Sequence, residues 1–389
     1  MAKILFVSGW YPTDDRPSFG IFVRRHAEAA ARNNEVSVLY VRTITSPGKK
    51  SIEIEAGTKN NLFEVIVSIN KRKLGFPPVS ALLKFIFYIR ALIKGYKIIV
   101  IYKGKPDIVH ANILYEGGRQ ALLLKLLYGI PFVCTEHWTG YLPEDGTYSG
   151  FIKTSISKLV ASKAKYILPI TKQLSAAMQS HRLKGNYLVI PNVVNTDAFF
   201  PEVNARRNLN RIIHISSLDE RQKNLDGILK AFKIASDKIT ALEMVVVGGV
   251  ENLESARQMV VKNNLSPEKI SFTGYIDENK IAMLLRESLC HVLFSNYETQ
   301  GCVVLESIAC GTPVIVSDLE VHRDVVNENN GILVEAGNEN GLAAAMQKMY
   351  HESGNYSPEK LSEFIRQNYS YEKVNRMLND VYQESMKRN

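Results

Sequence analysis

The sequence has no run of about 20 apolar residues, so no segment of it reads as a membrane-spanning helix. Its cysteines are few. Cys134, Cys290, Cys302 and Cys310 form no CxxC pair and sit mostly in apolar stretches, which reads as buried reduced thiols and a cytoplasmic setting. HExxH, Asp-x-Asp and His/Cys clusters are missing, so no metal site is expected. GxGxxG is missing as well, which removes the dinucleotide fingerprint. The first apolar run, Ile4–Val7, is strand-sized and does not read as a signal peptide. Acidic residues are absent from Lys71–Lys105, a stretch that carries nine lysines and arginines.

What is there is ordinary in bulk. The chain has 389 residues, 46% hydrophobic and 22% charged, which fits two soluble globular domains. The net charge of +9 favours an anionic partner: a sugar nucleotide, a phospholipid or a nucleic acid. No reader motif accompanies the basic clusters, so nucleic acid is not expected.

Strand and helix patterns alternate along the chain, which implies parallel sheets. Strands are predicted at Lys3–Ser8, Glu35–Val41, Leu62–Ile69, Asp107–His110, Pro131–Thr135, Tyr166–Pro169 and Tyr187–Ile190. A second series runs through Arg211–Ser217, Met244–Val247, Ile270–Phe272, His291–Phe294 and Val314–Val316. RIIHISS at Arg211 echoes the opening KILFVSG, as two like domains would. Helices are predicted at Ile21–Asn33, Gly118–Tyr128, Leu225–Ile234, Pro358–Asn368 and Tyr371–Lys387. Lys3–Ser8, a Gly-bearing loop and a helix from Ile21 make the phosphate-cradling opening of a doubly wound fold.

The stretch from Leu293 to Asp318 reads as strand, polar loop, helix, turn and strand. Gly311 fits a helix C-terminus. Glu298 precedes the helix and Glu306 lies about one turn into it. A helix start near Cys302 and Val303 offers N–H groups and partial positive charge to a diphosphate. One carboxylate can then accept bonds from sugar hydroxyls and the other from ribose hydroxyls. Spacing alone leaves open two solvated glutamates.

This stretch resembles the retaining GT-B glycosyltransferases of family four. Their pattern E-x-F-G-x-x-x-x-E-A-x-A-x-G-x-P-V is matched at Glu298, Gly301, Glu306, Ala309, Gly311, Pro313 and Val314. Gln300 stands where Phe is usual and Ser307 where Ala is usual. The resemblance implies two Rossmann-like doubly wound domains facing a central cleft. Residues 1–200 would bind the acceptor, with the helix at 371–389 crossing back onto them. Residues 201–370 would bind the donor.

The same resemblance implies roles for single residues. Gly20, before the first helix, would let acceptor and donor approach. His137, at the end of a strand, would contact the donor sugar near the reacting carbon. Asp219–Asn224 is similar to R-L-x-x-x-K-G/N, whose Arg and Lys hold the diphosphate. Lys223 matches the Lys; Ser217 stands at the Arg position, and Arg221 is the candidate substitute. Tyr275, after Gly274, would bring backbone to the nucleotide base. His137, Lys223 and Glu298 are thus the catalytic candidates. Gly20, Arg221, Lys223, Tyr275, Glu298, Gly301, Cys302, Val303 and Glu306 are the donor-binding ones.

The function implied is metal-independent, retaining transfer of a sugar from a nucleoside diphosphate to a glycan or lipid-linked acceptor. A cell-surface polysaccharide such as lipopolysaccharide is the expected product class. The rivals are a nucleotide-sugar 2-epimerase of similar architecture and a non-catalytic basic binding protein. The basic apolar helix within Lys71–Lys105 predicts peripheral attachment to an anionic membrane surface, on its cytoplasmic face.

Overall fold

A computed structural model describes residues 1–45, 51–70, 79–202, 206–249 and 253–387, with the side chains of 79–82 left aside. The chain divides into two units: Met1–Val193 with Tyr371–Asn389, and Val194–Ser370.

In unit 1 the strands are β1 (Lys3–Ser8), β2 (Glu35–Ile44), β3 (Ile52–Lys59), β4 (Leu62–Asn70), β5 (Ile108–Asn112), β6 (Phe132–Glu136) and β7 (Ile167–Pro169). The helices between them are α1 (Ile21–Ala31), α2 (Val79–Lys103), α3 (Gly118–Tyr128), α4 (Phe151–Lys163) and α5 (Lys172–Ser180). The sheet order is β3-β4-β2-β1-β5-β6-β7. All pairings are parallel except β3 with β4. That hairpin turns at Asn60 and Asn61, both at positive φ, as a two-residue primed turn requires. Strands β1, β2, β5 and β6 are largely apolar because both faces are covered, as parallel sheets demand.

In unit 2 the strands are β8 (Asn208–Ser216), β9 (Glu243–Gly248), β10 (Ile270–Gly274), β11 (Ser288–Leu293), β12 (Val314–Ser317) and β13 (Gly331–Val334). Their order is β10-β9-β8-β11-β12-β13, all parallel. The helices are α6 (Glu220–Lys223), α7 (Leu225–Lys238), α8 (Leu253–Lys262), α9 (Glu278–Arg286), α10 (Cys302–Ala309), α11 (Glu320–Arg323), α12 (Glu339–Glu352) and α13 (Pro358–Tyr369). The last helix, α14 (Tyr371–Met386), belongs to unit 1. It packs Val374, Leu378, Val381 and Tyr382 into the core that also holds Val23, Ala27 and Ala30 of α1.

One expectation is corrected. Tyr187–Ile190 is not a strand: Tyr187 makes one isolated bridge to Ile167. β7 ends after three residues at Pro169, which has no N–H to extend a ladder. Helix α2 divides its apolar residues between core and surface. Ala91, Leu92, Tyr96 and Ile99 are buried in the core of unit 1, while Phe85 stands 61% exposed. Lys84, Arg90, Lys94 and Lys97 are exposed with it. Lys71, Arg72 and Lys73 lie outside the described residues. Among the described residues no helix is long and apolar enough to cross a membrane.

Candidate active site

In an open parallel sheet, ligands collect at the carboxyl ends of the strands where the order reverses. In unit 2 that point lies between β8 and β11. The loop after β8 carries Lys223 and the loop after β11 carries Glu298. They form a largely buried ion pair, Lys223 Nζ donating to Glu298 Oε1. Ser295 Oγ donates to the same oxygen at 2.8 Å.

The backbone holds the two loops together. Asn296 N donates to Gln222 O at 2.8 Å, and Asn296 Nδ2 to Arg221 O at 2.9 Å. Asp219 caps α6 through the N–H groups of Arg221 and Gln222. Ahead of this cap, Leu218 has φ +56°, a left-handed conformation that a bulky residue rarely adopts. Its N–H donates to Ser216 Oγ at 3.0 Å. Gly249 packs against this turn, since a Cβ there would come within 2.3 Å of Leu218 Cγ.

Helix α10 begins at Cys302 behind Gly301, whose φ is +72°. Glycine suits that conformation, and its position also leaves room for His322, since a Cβ would lie 3.2 Å from His322 Nε2. Cys302 and Val303 open the helix, and Glu306 is buried one turn in. Arg221 is exposed at α6. Tyr275 is 49% exposed beyond the left-handed Gly274. Lys223, Glu298, Gly301, Cys302, Val303 and Glu306 therefore share the carboxyl edge of one sheet, with Arg221 beside Lys223.

Gly20 and His137 lie in unit 1. Gly20, at φ +72°, caps α1, and a Cβ there would strike the Trp10 carbonyl carbon at 2.7 Å, so turn closure alone demands glycine. His137 is buried. Its ring packs on Phe22 with centroids 4.4 Å apart, and Nε2–H donates to Asn112 Oδ1 at 3.3 Å. Burial holds its basicity well below the ordinary range, so the ring is neutral at pH 7. His26, 5.4 Å away between ring centroids, is pushed down to about 4 by burial.

The groups that hold this loop escaped the sequence-based expectations. Glu136 is fully buried. Its Oε1 accepts from the N–H groups of His137 at 2.8 Å and Trp138 at 2.9 Å, and its Oε2 from Leu114 N at 2.8 Å. Burial raises its pKa to about 6, against the pull of these N–H groups. Leu114 follows Ile113, a β-branched residue at φ +66°, where β5 enters a π-turn over Ile113–Gly117. Such strain persists only where its surroundings fix it, and the Glu136 carboxylate supplies one such fixing contact. On the same turn, Glu116 fills the space a Cβ on Gly9 would need. The dipeptide Glu136-His137 is visible in the sequence, but a buried carboxylate serving backbone N–H groups leaves no periodic pattern.

Known proteins agree with this architecture. Residues 19–198 match the family model "Glycosyltransferase Family 4", and residues 195–370 match "Glycosyl transferases group 1". A probable sucrose-phosphate synthase of Thermosipho melanesiensis is 26% identical over 236 residues, 55% of each chain. The chain thus spans about half the length of that relative. An uncharacterized glycosyltransferase of Methanocaldococcus jannaschii is 26% identical over 75% of this chain and 80% of its own. Among solved structures, Anabaena HepE in complex with UDP and glucose superimposes with a TM-score of 0.73 at 14% identity, covering 98% of this chain and 100% of that one. With both sheets doubly wound and the two family models together matching residues 19–370, the chain belongs to the group 1, family four glycosyltransferases and has the GT-B fold.

Proposed function

We propose that this glycosyltransferase moves a sugar, with retention, from a nucleoside diphosphate to a glycan or lipid-linked acceptor of a cell-surface polysaccharide, without a metal ion. The observation that carries the donor assignment is the Lys223–Glu298 pair beside the N-terminus of α10, at the switch point of unit 2. A diphosphate there meets helix N–H groups and an ammonium already positioned. Arg221, a planar fork at the edge, adds a second cation to the phosphates. Glu306 takes the ribose hydroxyls, Glu298 the sugar hydroxyls, and the backbone at Tyr275 the base. That HepE was solved with UDP and glucose supports a uridine nucleotide as the first to test.

The sugar–phosphate bond breaks as the acceptor oxygen attacks on the same face, and the acceptor proton passes to the departing phosphate. Lys223 stabilises the negative charge that grows on that phosphate, an effect largest in the transition state. Unit 1 binds the acceptor, with Gly20 keeping the first loop tight. No protein nucleophile is assigned, since double displacement needs a carboxylate under the anomeric carbon.

Helix α2 supports membrane attachment through Lys84, Arg90, Lys94 and Lys97 around exposed Phe85. Each cation near an anionic surface contributes about 1 kcal/mol. A thermal-shift screen against UDP, GDP, ADP and their sugars tests the donor reading. Ligand at 100 times Kd adds about 2.7 kcal/mol of stability, so one nucleotide class should raise Tm clearly. A flat response to all of them would remove the donor site. Pelleting with anionic vesicles, weakened by salt and by replacing the four cations with serine, tests attachment. Equal pelleting of both proteins would confine α2 to the core.

A further inference from the structure

Three histidines lie buried around the Lys223–Glu298 pair: His214 on β8, His291 on β11 and His322 on α11. They differ in what their nitrogens do. Both nitrogens of His214 are engaged, Nδ1 with Val292 O at 2.8 Å and Nε2 with Ser216 Oγ at 2.8 Å. His291 lies inside the sheet. His322 is 1% exposed, and its Nδ1 donates to Ser317 O at 2.8 Å. A carbonyl can only accept, so Nδ1 carries the hydrogen and Nε2 of the neutral ring carries a lone pair. Among the described residues that Nε2 has no hydrogen-bond partner. It is directed at Gly301, where a Cβ would lie 3.2 Å away, so it looks onto the N-terminus of α10.

A buried nitrogen left without a partner is costly unless something else completes it. A bare lone pair beside helix N–H groups suits no anion. A protonated Nε2 does, because it then becomes a donor pointing where an anion would sit. We propose that His322 belongs to the donor site: when a nucleoside diphosphate occupies the N-terminus of α10, Nε2 takes up a proton from solvent and donates a hydrogen bond to it. This rests on the donor reading above and adds a residue and a proton to it.

The surroundings set the direction. In the free protein burial is the largest influence and lowers the basicity of His322, and Lys223 from α6 lowers it too. The Ser317 carbonyl, Glu298 from the β11 loop and Asp318 from the β12 loop raise it, while His291, pushed down to about 3 by burial, is neutral at pH 7. Lys223 and Glu298 offset one another, and burial leaves the free ring neutral at pH 7. A diphosphate adds net negative charge beside it and tips the balance toward imidazolium. Linkage then requires tighter binding as pH falls, by up to about tenfold per pH unit across the window between the free and bound pKa values.

The test is calorimetric titration of the full chain with UDP in two buffers of different ionisation heat, between pH 7 and 8.5. The terminal phosphate of UDP itself titrates near about 6, so the difference from a variant is the quantity read. His322→Asn keeps a donor near Ser317 O and lacks Nε2. His322→Gln places an amide donor near the Nε2 position that cannot titrate. The parent should take up close to one proton more per UDP than either variant, with a steeper loss of affinity toward pH 8.5. H322Q should retain more affinity than H322N at pH 8.5. In 15N-histidine spectra, the resonance missing from H322Q should move to the imidazolium pattern when UDP is added to the parent. UDP binding with equal proton uptake in parent and both variants would overturn the role of His322 and leave the donor site standing. Failure of UDP, GDP and ADP alike to bind the parent would overturn both.

Discussion

In unit 1 the switch point between β1 and β5 is lined by buried histidines and one buried carboxyl group. His26, His110 and His137 are held uncharged by burial, and Glu136 is raised toward neutrality with its oxygens on three backbone N–H groups. In unit 2 the switch point between β8 and β11 holds a charged pair, Lys223 with Glu298, beside the start of α10. Apart from the antiparallel edge strand β3, the strand orders match, and each point contains an apolar residue in left-handed backbone, Ile113 in one and Leu218 in the other. The strand order decides where a ligand can collect. In the function proposed, the side chains set what kind: hydroxyl groups at the edge of unit 1, and a diphosphate where Lys223 can exchange a carboxylate for phosphate.

The sharpest way to break this contrast is Lys223→Ala. Losing a cation that acts in the transition state typically costs about 2.7–4 kcal/mol, so kcat at saturating donor should fall by about two to three orders of magnitude. Stability should fall as well, by about 3–5 kcal/mol, because Glu298 is left buried without its partner. Adding Glu298→Gln should restore much of the melting temperature and none of the activity. Near-normal turnover in K223A would remove Lys223 from the chemistry.

The edge of unit 1 is tested by Glu136→Gln. A carboxyl whose folded pKa is raised from 4.5 to about 6 binds its proton more tightly folded than unfolded. Its contribution is therefore greatest below pH 4.5 and is lost as pH rises through 6, by about 2 kcal/mol in all. The amide in E136Q cannot titrate, so in denaturant melts the parent should lose about that much stability relative to the variant as pH rises from 4 to 7. A parent that gains stability relative to the variant as pH rises would mean that the backbone N–H groups outweigh burial. The smallest expected effect is that of a chelator. Dialysis against EDTA should leave activity within error of the untreated enzyme, and activity that returns only with Mg²⁺ would overturn the metal-free reading.

Much of this was legible in the residues themselves. Most apolar strands of both sheets, α3, α13 and α14 follow from hydrophobic runs and periodicity, and Glu298, Gly301 and Glu306 from a spaced motif; the four-residue β13 was missed. What escaped was set by tertiary contact. β3 is polar and mostly exposed because it is an antiparallel edge, and only Asn60-Asn61 marked its turn. The π-turn at Ile113 is held in part by a carboxylate 22 residues beyond Leu114 in sequence. That Lys223 and Glu298 touch could not be read from two loops 75 residues apart, nor that His322 looks onto Gly301.

The most direct test of where the donor binds is hydrogen exchange of the full chain with and without saturating UDP, or whichever nucleoside diphosphate raises Tm most. Protection should concentrate in peptides spanning Ser217–Asn224 and Ser295–Glu306, the two loops joined by Lys223 and Glu298. Protection confined to the loops after β1, β5 and β6, with those two segments unchanged, would contradict a diphosphate site in unit 2.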